Sequence, residues 1–279
     1  MVWYLLFLLP PAVLLWLLYE WFQHRFVQCK TTTVECRKIP ENIELKLCLI
    51  TDLHNNKKKT HELMQHISAF SPDVVLLAGD LVNKHKADNS QAIKFMEELS
   101  ALQIPVFYSQ GNHELSMAEN NMDVWQDYLA KIPRNVRFLD NEAVLVTPDN
   151  KICVSGLSLP PEFYKKGDLY KKEENLPHID IPENVFHIMM AHNPEYAGLY
   201  HKYNADFIVA GHLHGGLLRL PFIGGVVSPR LRLIHGSDAG LVKLPDQSLL
   251  FVSRGIGSHT IPLRFFNRAE MNFLVLKGK

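Results

Sequence analysis

The sequence predicts an α/β fold, because short apolar runs alternate with amphipathic stretches from about residue 43 onward. Most of these runs are apolar at nearly every position, as expected of strands that are buried on both faces. Helical patterns at 59–70 and 89–101 separate the first three runs. We therefore expect a sheet that is covered by other layers on each side.

Six strands are predicted before residue 216 and three shorter ones after it. The six lie at 44–51, 73–79, 104–109, 151–156, 185–191 and 206–210. Beyond Gly216, glycine and proline recur around short runs at 241–244, 248–253 and 270–277, which favours a second sheet packed against the first. No internal repeat or long linker interrupts this region, so residues 43–279 are predicted to form one catalytic domain.

The N-terminal segment predicts a membrane anchor. Positions 2–19 carry no charged side chain, and about twenty helical residues span the roughly 30 Å of a bilayer's hydrocarbon core. Aromatic residues gather near both ends of this run, as in an interfacial belt. A cleaved signal peptide is the alternative, but no basic region precedes the run and no A-x-A site follows it. Residues 1–24 are therefore predicted to form one transmembrane helix, followed by a juxtamembrane segment at 25–42.

Basic residues follow this span, whereas only the terminal amine precedes it. They are Arg25, Lys30, Arg37 and Lys38. The positive-inside rule therefore predicts a single-pass membrane protein whose globular part lies in the cytoplasm.

The overall charge is neutral, with 29 Lys and Arg against 29 Asp and Glu. Nonspecific binding of nucleic-acid phosphates draws on a clear basic excess, so a nucleic-acid partner is not expected. The obvious basic cluster is Lys57–Lys59. The 4 cysteines are irregularly spaced and predict neither a disulfide framework nor a CxxC zinc site.

Metal-capable side chains follow five of the predicted strands. They are Asp52 and His54, then Asp80, then Asn112, His113 and Glu114, then His192, then His212 and His214. In open α/β sheets, ligands bind outside the carboxyl ends of the strands, so these groups are expected to converge. A single histidine at a strand end is more often a hydrogen-bonded structural residue, but five coincidences favour a site. Burying so many carboxylates and imidazoles without a cation would be costly.

The types of ligand narrow the choice of metal. Two carboxylates, one amide carbonyl and four imidazoles suit Mn, Fe, Zn or Co, and are too rich in nitrogen for Ca or Mg. Seven ligands exceed what one ion uses in a catalytic site with open positions, whereas two ions fit if one Asp bridges them. Two ions about 3.5–4 Å apart favour displacement at phosphorus. His113 is the candidate to supply a proton to the leaving oxygen.

The order of these motifs resembles the calcineurin-like metallophosphoesterases. Their pattern of D-x-H, G-D, G-N-H-E, a lone H and G-H-x-H appears over about residues 44–216. The resemblance implies a four-layer αββα sandwich and a metal-dependent phosphoesterase that cleaves a phosphodiester or pyrophosphate bond. It assigns Asp52, His54, Asp80 and His214 to a first ion, and Asp80, Asn112, His192 and His212 to a second, with Asp80 as the bridge. It also makes His113 the catalytic histidine.

One position departs from the family pattern. Many relatives carry an acidic residue three positions after the bridging Asp, where this chain has Asn83. An amide orients an imidazole through its carbonyl but offers no charge to stabilise an imidazolium. Either Glu114 replaces that acid or His113 is less basic, and activity is expected to remain.

Several segments resemble a bacterial, membrane-anchored branch of the family, namely the N-terminal run, Ala191–Glu195 and 261–270. Some members of that branch act on lipid-linked substrates such as UDP-2,3-diacylglucosamine. The segment 217–234 interleaves apolar residues with Arg219, Arg230 and Arg232, which are secondary candidates for holding phosphate beside acyl chains. The plainer interpretation is a hairpin whose apolar residues face the core. His235 and His259, in glycine-rich loops, are further candidates for reaching substrate.

Two other functions stay open. A nuclease or a phosphodiesterase acting on soluble nucleotides would use a basic groove, which the neutral charge disfavours. A non-catalytic membrane scaffold would tolerate the loss of metal ligands, yet no ligand of the family pattern is missing here.

Overall fold

The computed structural model describes residues 2–23, 25–39, 41, 43–86, 88–147, 152–165, 173–216, 218–220, 223–227, 238–257 and 264–279. The α-helices in this part of the chain are α1 Val2–Gln23, α2 Lys57–Phe70, α3 Ser90–Ser100, α4 Asn112–Asn120 and α5 Met122–Ala130. The strands are β1 Gln28–Cys36, β2 Glu44–Ile50, β3 Val74–Ala78, β4 Val106–Ser109, β5 Val136–Leu139, β6 Glu142–Thr147, β7 Ile152–Leu157, β8 Phe186–Ala191, β9 Phe207–Ala210, β10 Leu218–Leu220, β11 Gly224–Val227, β12 Gly240–Lys243, β13 Leu249–Val252 and β14 Glu270–Gly278. Three 3₁₀ helices lie at Pro161–Tyr164, Glu173–Asn175 and Pro194–Tyr203.

The strands form two six-stranded mixed sheets and one short hairpin. The first sheet has the order β1-β14-β2-β3-β4-β5, and the second has the order β12-β13-β9-β8-β7-β6. Within them, β2 to β5 run parallel to one another, as do β7, β8, β9 and β13. The six strands predicted before residue 216 form within two residues of their predicted ends.

The two sheets pack face to face. Leu47 and Leu49 of β2 lie in the core between the sheets, together with side chains of β8 and β9. Their neighbours Cys48 and Ile50 point to the other face, where they join Phe95 of α3. Because successive side chains of a strand alternate between faces, a run that is apolar throughout fills both cores. This confirms the predicted α/β sandwich.

The layer outside the second sheet differs from the αββα arrangement implied by the resemblance. Phe163, Tyr196 and Tyr200 pack against this sheet from two of the 3₁₀ helices, in the part of the chain that the structure describes. Pro161 and Pro194 open these segments, and proline is compatible with a first helical turn. Both segments are short or kinked, and 3₁₀ geometry is typical of such pieces.

The segment 25–42, predicted from sequence to be a juxtamembrane segment, contributes a strand to the first sheet. β1 pairs in parallel with β14 from Gln28 opposite Glu270 to Cys36 opposite Gly278. Its threonines are mostly exposed, whereas Val34 and Cys36 are buried. A polar edge strand lacks the continuous apolar run by which the central strands were recognised.

The predicted anchor region forms helix α1, which contacts the domain through Trp16. The Trp16 ring stacks on the ring of Phe265, with 5.6 Å between centroids. In the described residues, no helix has the length and apolar character needed to cross a membrane. The predicted transmembrane helix at 1–24 is therefore not confirmed.

Candidate metal centre

The predicted ligands lie in the turns that follow β2, β3, β4, β8 and β9, at the carboxyl ends of strands from both sheets. The structure brings them together in three groups whose ligand atoms lie within 4.8 Å of one another: Asp52, His54 and His214; His54, Asp80 and His113; Asp80, His192 and His212. Asn112 begins α4 beside His113, whose backbone N–H donates to Oδ1 of Asp80 at 2.7 Å. Asp80 shares one group with His54, a predicted ligand of the first ion, and another with His192 and His212, predicted ligands of the second, as expected of a bridging ligand.

The backbone at this site is strained. Five predicted ligands have positive φ, between 51° and 67°: Asp52, His54, Asp80, His212 and His214. Side-chain-bearing residues adopt this left-handed region at a cost of about 1–3 kcal/mol each, and such residues cluster at functional sites. The tight turns direct these side chains into one space, which regular strand ends would not do.

Two motif glycines allow the loops to approach closely. Gly79 has a φ of +84°, and a Cβ there would collide with the His192 ring. A Cβ at Gly111 would overlap the carboxylate and backbone nitrogen of Asp80. The glycines that precede Asp80 and Asn112 in the motifs are therefore required by packing around the ligands.

The first group presents three ligand atoms to one point. His54 Nε2 lies 3.2 Å from His214 Nε2, and His214 Nε2 lies 3.3 Å from Oδ1 of Asp52. His54 Nδ1 lies 3.4 Å from the carbonyl oxygen of Val82, to which a protonated Nδ1 donates. This contact fixes the tautomer that leaves a lone pair on Nε2, the arrangement found in metal-bound histidines.

His192, in the third group, is held in the same tautomer as His54. His192 Nδ1 lies 2.9 Å from the carbonyl oxygen of Ala78, so the Nε2 lone pair points to the centre, 3.3 Å from Oδ2 of Asp80. Within the described residues, Nε2 of His192 and Oδ1 of Asn112 are buried without a hydrogen-bond partner. Buried polar atoms are nearly always satisfied, and these two are predicted ligands of the same ion. The residues present thus fit a divalent cation.

The buried carboxylates of Asp52 and Asp80 also favour a positive charge at the centre. Burial raises the pKa of Asp52. Burial acts in the same direction on Asp80, but His192, His113 and His54 hold the pKa of Asp80 well below its usual range. Burial lowers the pKa of His192, yet Asp80 and Asp52 outweigh it and raise that pKa to about 10. The paired carboxylates require either a proton on His192 or a bound cation, so metal binding is expected to release that proton.

His113 stands beside this centre with a defined tautomer. Its ring lies 4.4 Å from the His54 ring, and its Nε2 lies 4.0 Å from Oδ2 of Asp80. Its Nδ1 accepts a hydrogen bond from the backbone N–H of Lys84 at 3.2 Å. The neutral ring therefore carries its proton on Nε2, the nitrogen nearer to the ligands. Asn83, considered from sequence as the partner of His113, accepts from the N–H of His85 through Oδ1 at 3.0 Å.

Glu114, the other partner considered, holds the loop that carries Asp80. Its Oε2 accepts from the N–H groups of Asp80 and Gly111, both at 2.9 Å. Its Oε1 accepts from the N–H of Leu81 at 2.8 Å, the N–H of Val82 at 3.1 Å and the hydroxyl of Tyr108 at 2.8 Å. A fully buried carboxylate with five donors is a positioning group, because it ties the turn after β3 to the start of α4.

Sequence reasoning assigned no role to two residues that hold His214. Arg264, 5% exposed, has Nη2 3.0 Å from Nδ1 of His214 and also donates to the carbonyl of Gly257. Asn267 Nδ2 donates to the carbonyl oxygens of His214 and Gly216, both at 2.6 Å. Neither residue follows a strand of the ligand-bearing set, so the strand-end pattern has no way to identify them.

Among the secondary candidates for binding substrate, Arg219 lies in the part of the chain that the structure describes. Arg219 pairs with Asp238, which also accepts from the N–H of Gly225 at 2.9 Å, so this pair ties the β10–β11 hairpin. That contact favours the plainer interpretation of the hairpin, and phosphate binding by Arg219 stays a prediction. Arg230, Arg232, His235 and His259 lie outside the described residues.

Comparison with known proteins agrees with this geometry. A family model described as calcineurin-like phosphoesterase matches residues 45–216, more than half of the chain. An uncharacterized metallophosphoesterase from Aquifex aeolicus is 26% identical over 266 residues, covering 94% of this chain and 96% of that protein. The phosphodiesterase YaeI of Escherichia coli is 27% identical over 239 residues, covering 83% and 82% respectively. A transmembrane protein with metallophosphoesterase domain from Danio rerio is 23% identical over 258 residues, covering 88% of this chain and 56% of that protein.

The fold and the ligand groups define a metal-dependent phosphoesterase with a site for two divalent ions. The chain belongs to the calcineurin-like phosphoesterase family, in agreement with the order of its sequence motifs. The predicted family, the hydrolytic activity and the requirement for two ions are thereby confirmed. The role of each individual ligand stays a prediction.

Proposed function

We propose that this protein hydrolyses a phosphodiester or pyrophosphate bond with two divalent ions held by the seven predicted ligands. The observation that carries this proposal is the convergence of buried ligand atoms on Asp80: its Oδ2 lies 3.3 Å from Nε2 of His192, and Oδ1 of Asn112 is buried without a hydrogen-bond partner. The Escherichia coli relative is named as a phosphodiesterase, which supports diester rather than monoester chemistry.

The side chains of the centre have separate tasks in this reaction. When bound, the ions supply positive charge that activates water and stabilises the charge that develops on the phosphoryl oxygens. His54 and His192 present Nε2 lone pairs because carbonyl oxygens hold their Nδ1 atoms. The Nε2–H of His113 donates a hydrogen bond to the leaving oxygen and stabilises the negative charge that develops there, and the Lys84 N–H keeps the ring in the tautomer that can donate it. Glu114 keeps Asp80 at its place in both ligand groups.

Removing the metals is expected to abolish hydrolysis, because buried carboxylates and imidazoles alone do not activate water at neutral pH. The measurement is the rate on a bis(4-nitrophenyl) diester, a 4-nitrophenyl monoester and a nucleotide sugar, before and after EDTA and after adding Mn, Fe, Zn or Co. We expect the diester and pyrophosphate rates to exceed the monoester rate and to return with metal. Freshly purified protein that contains no transition metal and hydrolyses none of the three would favour a membrane scaffold.

We further propose that α1 attaches the protein to a bilayer, with the catalytic domain on the cytoplasmic side, and that the substrate is lipid-linked. Exposed apolar side chains on α1 include Leu14, Leu15 and Leu18, the second of them 67% exposed. Trp16 of the same helix stacks on Phe265, the neighbour of the residue that contacts His214. An apolar helix this near the centre supports a substrate with acyl chains, such as UDP-2,3-diacylglucosamine. The Danio rerio relative is named as a transmembrane protein, which also supports membrane attachment.

Acyl chains on the substrate are expected to raise kcat/KM at least tenfold in the presence of vesicles. In the full-length chain, the double substitution Leu14→Glu with Leu18→Glu is expected to remove most of this increase in kcat/KM, because charge disfavours burial of the helix in lipid. The measurement compares an acylated pyrophosphate with its deacylated form, and Leu241→Glu, at an exposed position on β12, is the control. Equal rates on both forms would remove the lipid proposal and favour soluble nucleotide substrates.

A further inference from the structure

Helix α1 contacts the catalytic domain close to the metal centre. Over positions 13–19 of this helix, Trp16 is half-buried, whereas the other side chains that the structure describes are exposed. The Trp16 ring stacks on the ring of Phe265, with 5.6 Å between centroids and 14° between the planes, and its centroid lies 6.1 Å from that of Phe266. In this stretch, α1 therefore meets the segment 264–267, which we call the aromatic turn, through Trp16.

The aromatic turn also contacts the loop that carries His214, a predicted ligand of the first ion. Asn267 is 1% exposed, and its Nδ2 donates to the carbonyl oxygens of His214 and Gly216, both at 2.6 Å. At the other end of the turn, Nη2 of Arg264 lies 3.0 Å from Nδ1 of His214. A Cβ at Gly215 would lie 2.9 Å from Oδ1 of Asn267, so the two loops are packed tightly. The aromatic turn thus contacts both the backbone and the ring of His214.

The backbone of the aromatic turn is strained at Phe266, whose φ is +53°. A bulky side chain is an outlier in this left-handed region, and such strain persists where surrounding contacts over-determine the conformation. Trp16 supplies contacts on one side, and the two hydrogen bonds of Asn267 supply them on the other. The carbonyl oxygen of Phe265 also accepts from the N–H of Arg219 at 3.1 Å. Loss of the Trp16 contact is therefore expected to loosen the turn next to Asn267.

A shift of the aromatic turn would reach the metal centre. His214 itself has a positive φ of 52°, and its Nε2 lies 3.3 Å from Oδ1 of Asp52 and 3.2 Å from Nε2 of His54. These three ligand atoms converge on one point only while His214 keeps this position. Residues that orient a ligand without touching the metal typically contribute about 10–100-fold to metal affinity. Trp16 acts one contact further out, so its contribution is expected to be smaller.

We infer that Trp16 is a positioning residue for the first ion: by stacking on the aromatic turn, it keeps Asn267 and, through it, His214 in place. Helix α1 then has a part in building the metal centre, beyond the attachment to a bilayer proposed above. This inference rests on the proposed role of His214 as a ligand. Loss of the Trp16 ring is expected to weaken the binding of one of the two ions and to spare the other.

The experiment measures the binding of Mn to the metal-free full-length chain in detergent micelles, by equilibrium dialysis. Trp16→Ala is expected to raise the Kd of one ion about five- to tenfold and to change that of the other less than twofold. Trp16→Phe keeps a ring that stacks, and the indole Nε1 is buried without a hydrogen-bond partner among the described residues, so this variant should bind both ions as the wild type does. Trp21→Ala makes the same change at a 57% exposed position on the same helix and should alter neither Kd.

A second variant tests the route from Trp16 to His214. Asn267→Ala removes both hydrogen bonds to the loop and is expected to raise the Kd of the same ion about 10–100-fold. If Trp16 acts through Asn267, adding Trp16→Ala to Asn267→Ala should raise that Kd less than twofold further, because changes along one chain of contacts are not additive. A full five- to tenfold further increase would show that Trp16 acts by another route and would overturn the inference.

Metal binding needs no turnover, so this result can be separated from the proposed hydrolysis. If no substrate is hydrolysed but Trp16→Ala weakens one ion and Trp16→Phe does not, the inference stands and the proposed function fails. If His214→Ala loses one ion but Trp16→Ala binds both normally, the ligand role stands and the inference fails. Wild-type binding of both ions by His214→Ala would contradict the ligand role, and the inference with it. Equal weakening of both ions by Trp16→Ala would indicate a general loosening of the fold and would also overturn the positioning role.

Discussion

Replacing Asp80 by asparagine is expected to lower kcat/KM by three orders of magnitude or more and to leave the protein with at most one bound ion. Asp80 is 2% exposed and lies within ligand distance of His54 of the first predicted ion site and of His192 and His212 of the second, so one substitution is expected to weaken both sites. Metal ions contribute several kcal/mol of charge stabilisation in such reactions, and each 1.36 kcal/mol corresponds to about a tenfold change in rate. The measurements are steady-state kinetics and metal content by mass spectrometry.

The substitution preserves the shape of the side chain, so a folded variant is expected. Oδ1 of Asp80 accepts from the N–H of His113, and an asparagine carbonyl accepts the same bond. Thermal unfolding of the metal-free variant should therefore resemble that of the wild type. Asp180→Asn, at an exposed position, makes the same chemical change away from the centre and should alter neither metal content nor rate. Two bound ions and wild-type turnover in Asp80→Asn would contradict the bridging role.

Replacing His113 by alanine is expected to reduce kcat by about 10²–10³-fold, the range typical of losing one hydrogen-bond donor to the charge that develops in the transition state. Metal content should stay at the wild-type value, because His113 is not among the seven predicted ligands. The loss should be larger for a substrate with a poor leaving group than for a 4-nitrophenyl ester, since more negative charge that needs a hydrogen bond develops on the oxygen of a poor leaving group. The measurement is kcat on a pair of diesters that differ only in the pKa of the leaving alcohol.

His85→Ala is the matched control for this prediction. The His85 ring lies 6.1 Å from the His113 ring but is exposed to solvent. Its substitution therefore removes an imidazole close to the site while the proposed hydrogen-bond donor, His113, stays in place. We expect it to change kcat less than twofold. Near wild-type turnover of His113→Ala on both diesters would remove His113 from the chemistry.

The position of the site can be predicted from the sequence, because the ends of the strands can be recognised in the sequence. The apolar runs that end at Asp52, Asp80 and His192 become strands buried on both faces, and a polar residue at the end of such a run stands out. The carboxyl ends of parallel strands lie at one edge of a sheet, so residues that directly follow these strands in the sequence lie close together in space. The family pattern also contains the glycines before Asp80 and Asn112, and the close contacts at Gly79 and Gly111 explain why glycine is needed there.

Elements whose residues form no regular apolar pattern were not predicted from the sequence. β1 was not predicted as a strand, because its mostly polar residues form no continuous apolar run, although Val34 and Cys36 are buried against the sheet. The outer layer of the second sheet consists of 3₁₀ turns in the described part of the chain, where the family pattern implied helices. In both cases the decisive contacts come from strands that are distant in the sequence.

The sequence by itself determined the α/β class, the family and the set of side chains that meet at the centre, because each depends on residue type and on order along the chain. Only the tertiary structure decided how those side chains are held. Glu114 binds backbone N–H groups more than thirty residues away, Arg264 reaches His214 across fifty, and Lys84 sets the tautomer of His113 through a backbone amide. Such contacts depend on three-dimensional proximity and on main-chain groups that every residue carries, so no residue pattern records them.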